Sequence, residues 1–432
     1  MSLGQQVVRR KEIIMKSKEE IIELYEEHLN PGLARIFKFM GLNSIEVEAE
    51  GVKVKNSSGE EYLDCIGGYG SLNFGHRPSE IITALQQQLE KMPLSSKLLF
   101  NRQQAEFAAK LAEVTPGNLK YSFICNSGTE AVEGALKLAR LYTGRSEIIS
   151  TINSFHGKSM GALSATGKKE YKAPFQPLVP GFKHVPFGDI EALTEAVTSE
   201  TAAVIVEPIQ GEGGIVLPPK GYLTEVRRLC NEKEVVMIVD EIQTGLGRTG
   251  TNFAVEFEEV VPDIMTLAKS LGGGVMPLGA LIAKPKLWEP LCEAPMLHTS
   301  TFGGNPLAAA AGKKALEILE QDELALRARQ RGNSLLTELN KLQIEYPDLI
   351  KEVRGRGLMI GIELTTEGIG GMLISELTKR NLLAAYTLNS PQVIRVEPPL
   401  IITEKEVTKV VEVFSAAFKE VAAMNSQEKS IG

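Results

Sequence analysis

The sequence is poor in residues that staple or anchor a chain. Its four cysteines, Cys65, Cys125, Cys230 and Cys292, lie far apart with no C-x-x-C pair. Its five histidines are not grouped at metal-ligand spacing, so no zinc motif is present. Cysteines so few and so scattered are expected as reduced thiols in a cytoplasmic protein. No apolar run approaches the ~20 residues needed to cross a bilayer, and no apolar h-region follows Arg9, Arg10 and Lys11. A basic excess is also missing: 47 Lys+Arg against 54 Asp+Glu gives a net charge of −7, which argues against a nucleic-acid-binding protein. Aromatic residues are only 6% of the chain.

Glycine, in contrast, is plentiful. Forty in 432 residues is about 9%, against a usual ~7%, and points to many tight turns and close backbone approaches. At ~150 residues per domain the length allows two or three domains, and a hydrophobic fraction of 43% can fill a large core.

The chain begins its regular pattern with an amphipathic helix behind a Ser17/Glu20 capping box, ended at Asn30-Pro31-Gly32; residues 1–16 show no such pattern and are expected to be loosely ordered. Short strand-like pieces follow between 44 and 66. In the middle, short apolar runs alternate with helical stretches such as Glu130–Tyr142 and Gly221–Glu232. The runs are Tyr121–Cys125, Glu147–Ser150, Ala202–Val206, Val235–Val239, Ile264–Ala268 and Gly279–Ala283. Such runs predict strands buried on both faces of a mainly parallel sheet covered by helices. Beyond residue 320 the pattern reads helix, strand (Leu358–Leu364), helix, strand (Val393–Val396), helix, as in a smaller α+β domain. A Thr403/Glu406 capping box opens the last helix.

In an α/β sheet ligands gather outside the carboxyl ends of the strands, so the residue that ends each run is the one to inspect. One run ends in Asp240-Glu241 and another in Lys269. A lysine leaving a buried strand is partly desolvated, which lowers its pKa and suits it to Schiff-base formation with a carbonyl. An aspartate facing the same cleft suits a protonated pyridine nitrogen. A structural ion pair at the sheet edge accounts for these two residues equally well. A third element is Asn126-Ser127-Gly128-Thr129-Glu130, between a strand and a helix, where free N–H groups and the helix dipole favour an anion. Read alone it is an ordinary N-cap. A phosphate site, a partner for a ring nitrogen and an imine-forming lysine are together the parts of a pyridoxal-phosphate (PLP) pocket.

With these residues in view, the chain resembles the class III (ornithine-type) PLP-dependent aminotransferases. The resemblance rests on CNSGTEAVEGALKLAR (125–140), NSFHGKSMGALSATG (153–167), EPIQGEGG (207–214), VDEIQTGLGRTG (239–250), AKSLGGGVMPLGA (268–280), STFGGNP (300–306), RGRGLMIGIEL (354–364) and IRVEPPL (394–400). It implies a PLP-dependent transferase fold of type I, an α/β fold with a mainly parallel seven-stranded central sheet sandwiched by helices. A smaller α+β domain would come from both chain ends. The corresponding division is 1–70, an N-terminal segment and part of the small domain; 71–320, the large PLP-binding domain; and 321–432, the rest of the small domain.

The resemblance also implies roles. Lys269 would carry the cofactor and later move the proton, and Asp240 would pair with the pyridinium nitrogen. Gln243 would contact the ring oxygen, with Ile242 under the ring, Phe155 on its other face and His156 beside it. Gly128 and Thr129 would bind the phosphate. Thr301 would reach the phosphate of a neighbouring subunit's cofactor, which implies a homodimer with shared active sites. Arg395 would bind the carboxylate of 2-oxoglutarate, with Glu212 pairing to it when the substrate lacks that carboxylate. Bare sequence reads Phe155 and Ile242 equally as core, Thr301 as a turn residue, and Arg395 with Glu212 as a partly buried salt bridge.

Within the class the similarity is to the putrescine-type enzymes, through DCIGGYG (64–70), TPGNLKYSFICNSGTE (115–130), PFQPLVPGFKHVPFG (174–188) and HTSTFGGNP (298–306). Lys158, in FHGKS, stands where ornithine and acetylornithine aminotransferases carry an arginine, and a point charge is not a planar fork. The implied reaction moves a terminal amino group from a diamine, putrescine or cadaverine, to 2-oxoglutarate, giving an aminoaldehyde and glutamate. Alternatives on the same scaffold are an ornithine, acetylornithine, 4-aminobutyrate or broad-range amine aminotransferase, and further off an aminomutase or racemase.

Overall fold

The protein is described here by a computed structural model covering residues 16–39 and 41–431. The expectation for residues 1–16 therefore lies, apart from Lys16, outside the described residues. A seven-stranded sheet occupies the centre, in the order Tyr121–Cys125, Gly279–Ala283, Ile264–Leu267, Val236–Asp240, Thr201–Val206, Glu147–Thr151, Phe182–Val185. Gly279–Ala283 runs antiparallel to both neighbours, and the remaining pairings are parallel. Six strands coincide with the apolar runs. Every residue of Thr201–Val206 and Val236–Asp240 is buried, as expected when helices cover both faces.

The seventh strand, Phe182–Val185, is not an apolar run. It sits at the sheet edge, where three of its four residues are only half-buried and lysine and histidine are tolerated. The predicted helices extend over Gly128–Thr143 and Tyr222–Glu232, and the first packs against the strands on either side of the future site.

The chain ends build two further sheets. Glu46–Glu50, Lys53–Asn56 and Glu61–Asp64 form an antiparallel meander, and Leu382–Leu383 adds to Glu61–Asp64 in parallel, so segments more than 300 residues apart share one sheet. Ile350–Arg356, Met359–Leu364, Val393–Val396 and Ala385–Tyr386 make the other. The long helix from Glu404 is opened by its capping box: Glu406 N–H donates to Thr403 Oγ1, and Thr403 N–H to Glu406 Oε2. Val407, Val410, Phe414, Ala417, Phe418 and Val421 are buried along one face of it.

One local reading needs correction. Asn30-Pro31-Gly32 does end the helix Lys18–His28, but a second helix, Pro31–Phe39, starts immediately. Asn30 Oδ1 accepts the N–H groups of Gly32 and Leu33, and Pro31 fills the first position, where a missing N–H does no harm. The same tripeptide stops one helix and caps the next.

Candidate active site

The strands Val236–Asp240 and Ile264–Leu267 are parallel neighbours with Asp240 in register with Thr266. That register brings Thr266 Oγ1 to donate to Asp240 Oδ1 at 3.1 Å, and the Ile242 N–H donates to the same oxygen at 3.1 Å. The other oxygen meets His156 Nδ1 at 2.7 Å. A carboxylate can only accept here, so Nδ1 carries the proton. Burial alone would lower the pKa of His156, but the hydrogen bond and charge of Asp240, with the charge of Glu207, carry it above its ordinary value. His156 Nε2 is buried without a partner.

Lys269 stands two residues beyond the end of the neighbouring strand, with a left-handed φ of 49°. A non-glycine residue held there costs on the order of 1–3 kcal/mol, a strain typical of functional positions. Desolvation lowers its amine pKa, opposed by the charges of Glu212 and Glu397. The amine is thereby brought closer to the neutral, nucleophilic form.

Opposite lies the start of helix Gly128–Thr143. Ser127 Oγ caps the Glu130 N–H at 3.3 Å, which leaves the N–H groups of Gly128 and Thr129 without intrahelical acceptors. Thr129 Oγ1 touches Ser159 Oγ at 2.8 Å, and Ser159 Oγ donates to Glu133 at 2.6 Å. Gly157, with φ 130°, lies so close that a Cβ would overlap Thr129 Oγ1. These are features of an anion cradle: free donors, a positive helix end and a backbone that keeps the space open.

A cleft of about 640 Å³ joins these parts. Gly128, Thr129, Phe155, His156, Lys158, Asp240, Ile242, Gln243 and Lys269 all line it. Lys158 is at its exposed edge, with Nζ 5.1 Å from the Tyr171 ring centroid. Glu207 also lines the cleft, although sequence reasoning passed over it. Its carboxylate accepts the Phe155 N–H at 3.0 Å and the Gly211 N–H at 3.1 Å. Burial, with the charge of Asp240, pushes its pKa up to about 7 against the opposing charge of His156 and the two N–H donors. Glu207 directly follows the run Ala202–Val206, so inspection of strand ends had the signal to find it.

Arg395 and Glu212 form a second group beside the cleft. Arg395 is fully buried, and its Nη2 donates to Glu212 Oε2. Glu212 also accepts the Leu388 N–H at 2.9 Å. Although burial works the other way, Arg395 and Lys269 hold the Glu212 pKa below its usual range. On the other side of Arg395, Nη1 is 3.7 Å from Glu397 Oε2. Gln243 Nε2 donates to both oxygens of Glu397 at 3.1 Å. Arg395 Nε and Nη1 have no hydrogen-bond partner, and the guanidinium lies 5.3 Å from the Tyr69 ring centroid. Glu397 is a buried acid two residues after Arg395 in the mostly apolar IRVEPPL segment; that placement was its only sequence signal. Thr301 is not brought to this cleft: it is exposed on a surface loop beside the exposed Phe302.

The donor set suits a phosphorylated pyridine aldehyde. Asp240, held by two N–H groups and a hydroxyl, would hold the ring nitrogen, the Gly128–Thr129 turn the phosphate, and Lys269 the carbonyl carbon. Phe155 and Ile242 supply apolar lining for a planar ring.

Comparison with known proteins agrees. The aminotransferase class-III family matches residues 41–418. The ornithine aminotransferase of Toxoplasma gondii ME49 superposes with a TM-score of 0.88 at 32% identity, over 97% of this chain and 100% of its own. Another structure of the Toxoplasma gondii ornithine aminotransferase records partial occupancy of PLP at its active site. Acetylornithine aminotransferase from Elizabethkingia anophelis is 34% identical with a TM-score of 0.81, over 94% of this chain and 100% of its own. An (S)-enantioselective omega-transaminase from Thermomicrobium roseum is 32% identical with a TM-score of 0.87, over 94% and 99%. The chain therefore belongs to the class III aminotransferases and is a PLP-dependent enzyme of fold type I.

Proposed function

We propose that this aminotransferase takes a terminal amino group from a diamine, putrescine first and cadaverine second, and passes it to 2-oxoglutarate, giving an aminoaldehyde and glutamate. The observation that carries the reading is Arg395 closed onto Glu212. A donor without an α-carboxylate binds with that pair intact, whereas an oxo acid must displace Glu212 to gain the charge-assisted contact. Lys158 stands at the exposed edge where ornithine-type enzymes carry an arginine for the second carboxylate of glutamate. A point charge there is a weaker match for the distal carboxylate of 2-oxoglutarate, and the FHGKS shared with putrescine-type sequences favours a diamine donor.

When bound, the cofactor withdraws electrons from the substrate carbon. The protein supplies the rest. Lys269 would take the proton from that carbon and return it elsewhere, Asp240 with His156 would hold the ring nitrogen, and Gln243 the ring oxygen. Gly128 and Thr129 would fix the phosphate, so that the reacting carbon is oriented from both ends.

The same reading includes a homodimer in which Thr301 reaches the partner's cofactor phosphate. Supporting it, the Thr301 loop is joined to the 94–100 segment through Lys97 Nζ and Gly303 O, and the apolar side chains Leu98, Phe100 and Met296 stand exposed there. A cytoplasmic location fits four cysteines that are all free. We divide the chain at residues 70 and 320, with 71–320 as the PLP-binding unit. Among the described residues no helix is long and apolar enough to cross a membrane.

A second reading keeps the chemistry and changes the donor to ornithine, acetylornithine, 4-aminobutyrate or a broad range of amines. Comparable identity to ornithine, acetylornithine and omega-transaminases supports it. A panel of these donors with 2-oxoglutarate, read as glutamate formed, separates the two. Putrescine and cadaverine should lead; no turnover with either, beside good turnover of ornithine or 4-aminobutyrate, overturns the diamine reading.

A further inference from the structure

Arg395 lies between two acids, and only one of them is in a position to leave. Glu212 sits on the loop after Gly211 and is held by one backbone N–H besides the arginine. Glu397 is fixed. It is fully buried, its backbone N–H donates to Cys65 O at 2.7 Å, and both carboxylate oxygens accept from Gln243. Its contact with Arg395, at 3.7 Å, is a charge contact and not a hydrogen bond. Gly70 keeps the approach narrow but open: a Cβ there would stand 3.4 Å from Glu397 Oε2 and 3.5 Å from Gln243 Cγ.

A guanidinium flanked by two carboxylates leaves a net charge of −1 next to the cleft. When Glu212 turns aside for an oxo acid, Glu397 stays and keeps half of the field in place. We propose that Glu397 is a specificity-determining residue: an immobile carboxylate behind Arg395 and Gln243 that favours donors with a second cationic group and weakens dicarboxylate binding. It acts through Arg395 and through space, without touching the reacting atoms. Unit charges about 10 Å apart at an effective permittivity of ~20 shift a binding constant by roughly ten- to twentyfold, enough to set a preference.

The inference rests on the diamine reading, and the test keeps the two apart. The holoenzyme is assayed with 1,4-diaminobutane and with 1-aminobutane, which differ in the second ammonium. The ratio of their kcat/KM values is compared between wild type and Glu397→Gln. Removing the charge should lower that ratio about tenfold and tighten binding of glutarate, a dicarboxylate that cannot react, several-fold by calorimetry. A merely structural role would weaken both ligands together. Glu397→Asp, which keeps the charge, should hold the ratio within about threefold of wild type. Glu397→Ala is the second charge-removing variant should the glutamine form not accumulate, with the same expected signs.

A ratio unchanged by charge removal, weaker glutarate binding, or equal losses in Glu397→Asp and Glu397→Gln overturns the inference alone. A wild type that does not turn over 1,4-diaminobutane overturns the reading beneath it.

Discussion

The two ends of the site are equally buried and oppositely built. At one end the Asp240 carboxylate has three donors, from His156, Thr266 and the Ile242 backbone, all within 3.1 Å. At the other, the fully buried Arg395 makes one hydrogen bond and leaves Nε and Nη1 without partners. An unsatisfied buried donor costs about 1–3 kcal/mol, so the second arrangement is not the most stable one available to it. The contrast separates two tasks: the Asp240 end is built to stay still, and the Arg395 end to exchange partners.

The strongest way to break the comparison is Asp240→Ala. Removing one member of a buried, hydrogen-bonded pair is worth about 3–5 kcal/mol, and the loss should fall on cofactor retention. PLP titration of the apoprotein, followed by absorbance, should show affinity weaker by about 10²-fold or more. Undiminished affinity would remove Asp240 from its role.

Arg395→Ala probes the other end with a smaller and more selective effect. A charge-assisted contact of about 1.5–3 kcal/mol predicts a ten- to hundredfold slower half-reaction with 2-oxoglutarate. The diamine half-reaction should not slow, because the two acids that attract its second ammonium remain when the opposing positive charge is removed. Stopped-flow traces of the two half-reactions measure this directly, and equal losses count against the partner-exchange picture.

Glu207 sharpens the comparison because it bridges the ends, accepting one N–H from Phe155 and one from Gly211. Its pKa is about 7 in the folded protein, against an ordinary 4.5. The folded state therefore keeps a proton that the unfolded chain has already released. The contribution of Glu207 to stability is fully present below about pH 4.5, is lost as pH rises towards 7, and changes no further above, with a total on the order of 3 kcal/mol. Urea unfolding of the apoprotein at several pH values should show this decline in wild type, and Glu207→Gln should lose that share of it. Parallel pH profiles for the two proteins would refute the assignment.

Much of this was legible from residue order because burial on both faces of a parallel sheet demands uninterrupted apolar runs. Asp240 and Lys269 stand out where two such runs stop. Phe182–Val185 and Ile350–Arg356 were illegible for the opposite reason: each keeps residues open to solvent, so lysine, arginine and glutamate break the pattern. Phe155 and Ile242 entered only through family resemblance, since an apolar residue lining a cleft reads like any core residue. The contact of Arg395 with Glu212 spans 183 residues, and no local periodicity encodes it. Glu397 was overlooked because its partners, Gln243 and Arg395, meet only when the chain ends close over the central sheet.

The pairing of Asp240 with Thr266 also fixes where Lys269 stands along the cleft. Side chains alternate faces along a strand, so a slide of one residue would turn Thr266 away from the carboxylate and carry Lys269 along the cleft by about 3.3 Å. The ladder between these two strands is thus also a ruler for the chemistry. Substitutions that loosen it at Ile238 or Ile264, one pair back along the same face, would be felt as misaligned reactants while the protein is still folded.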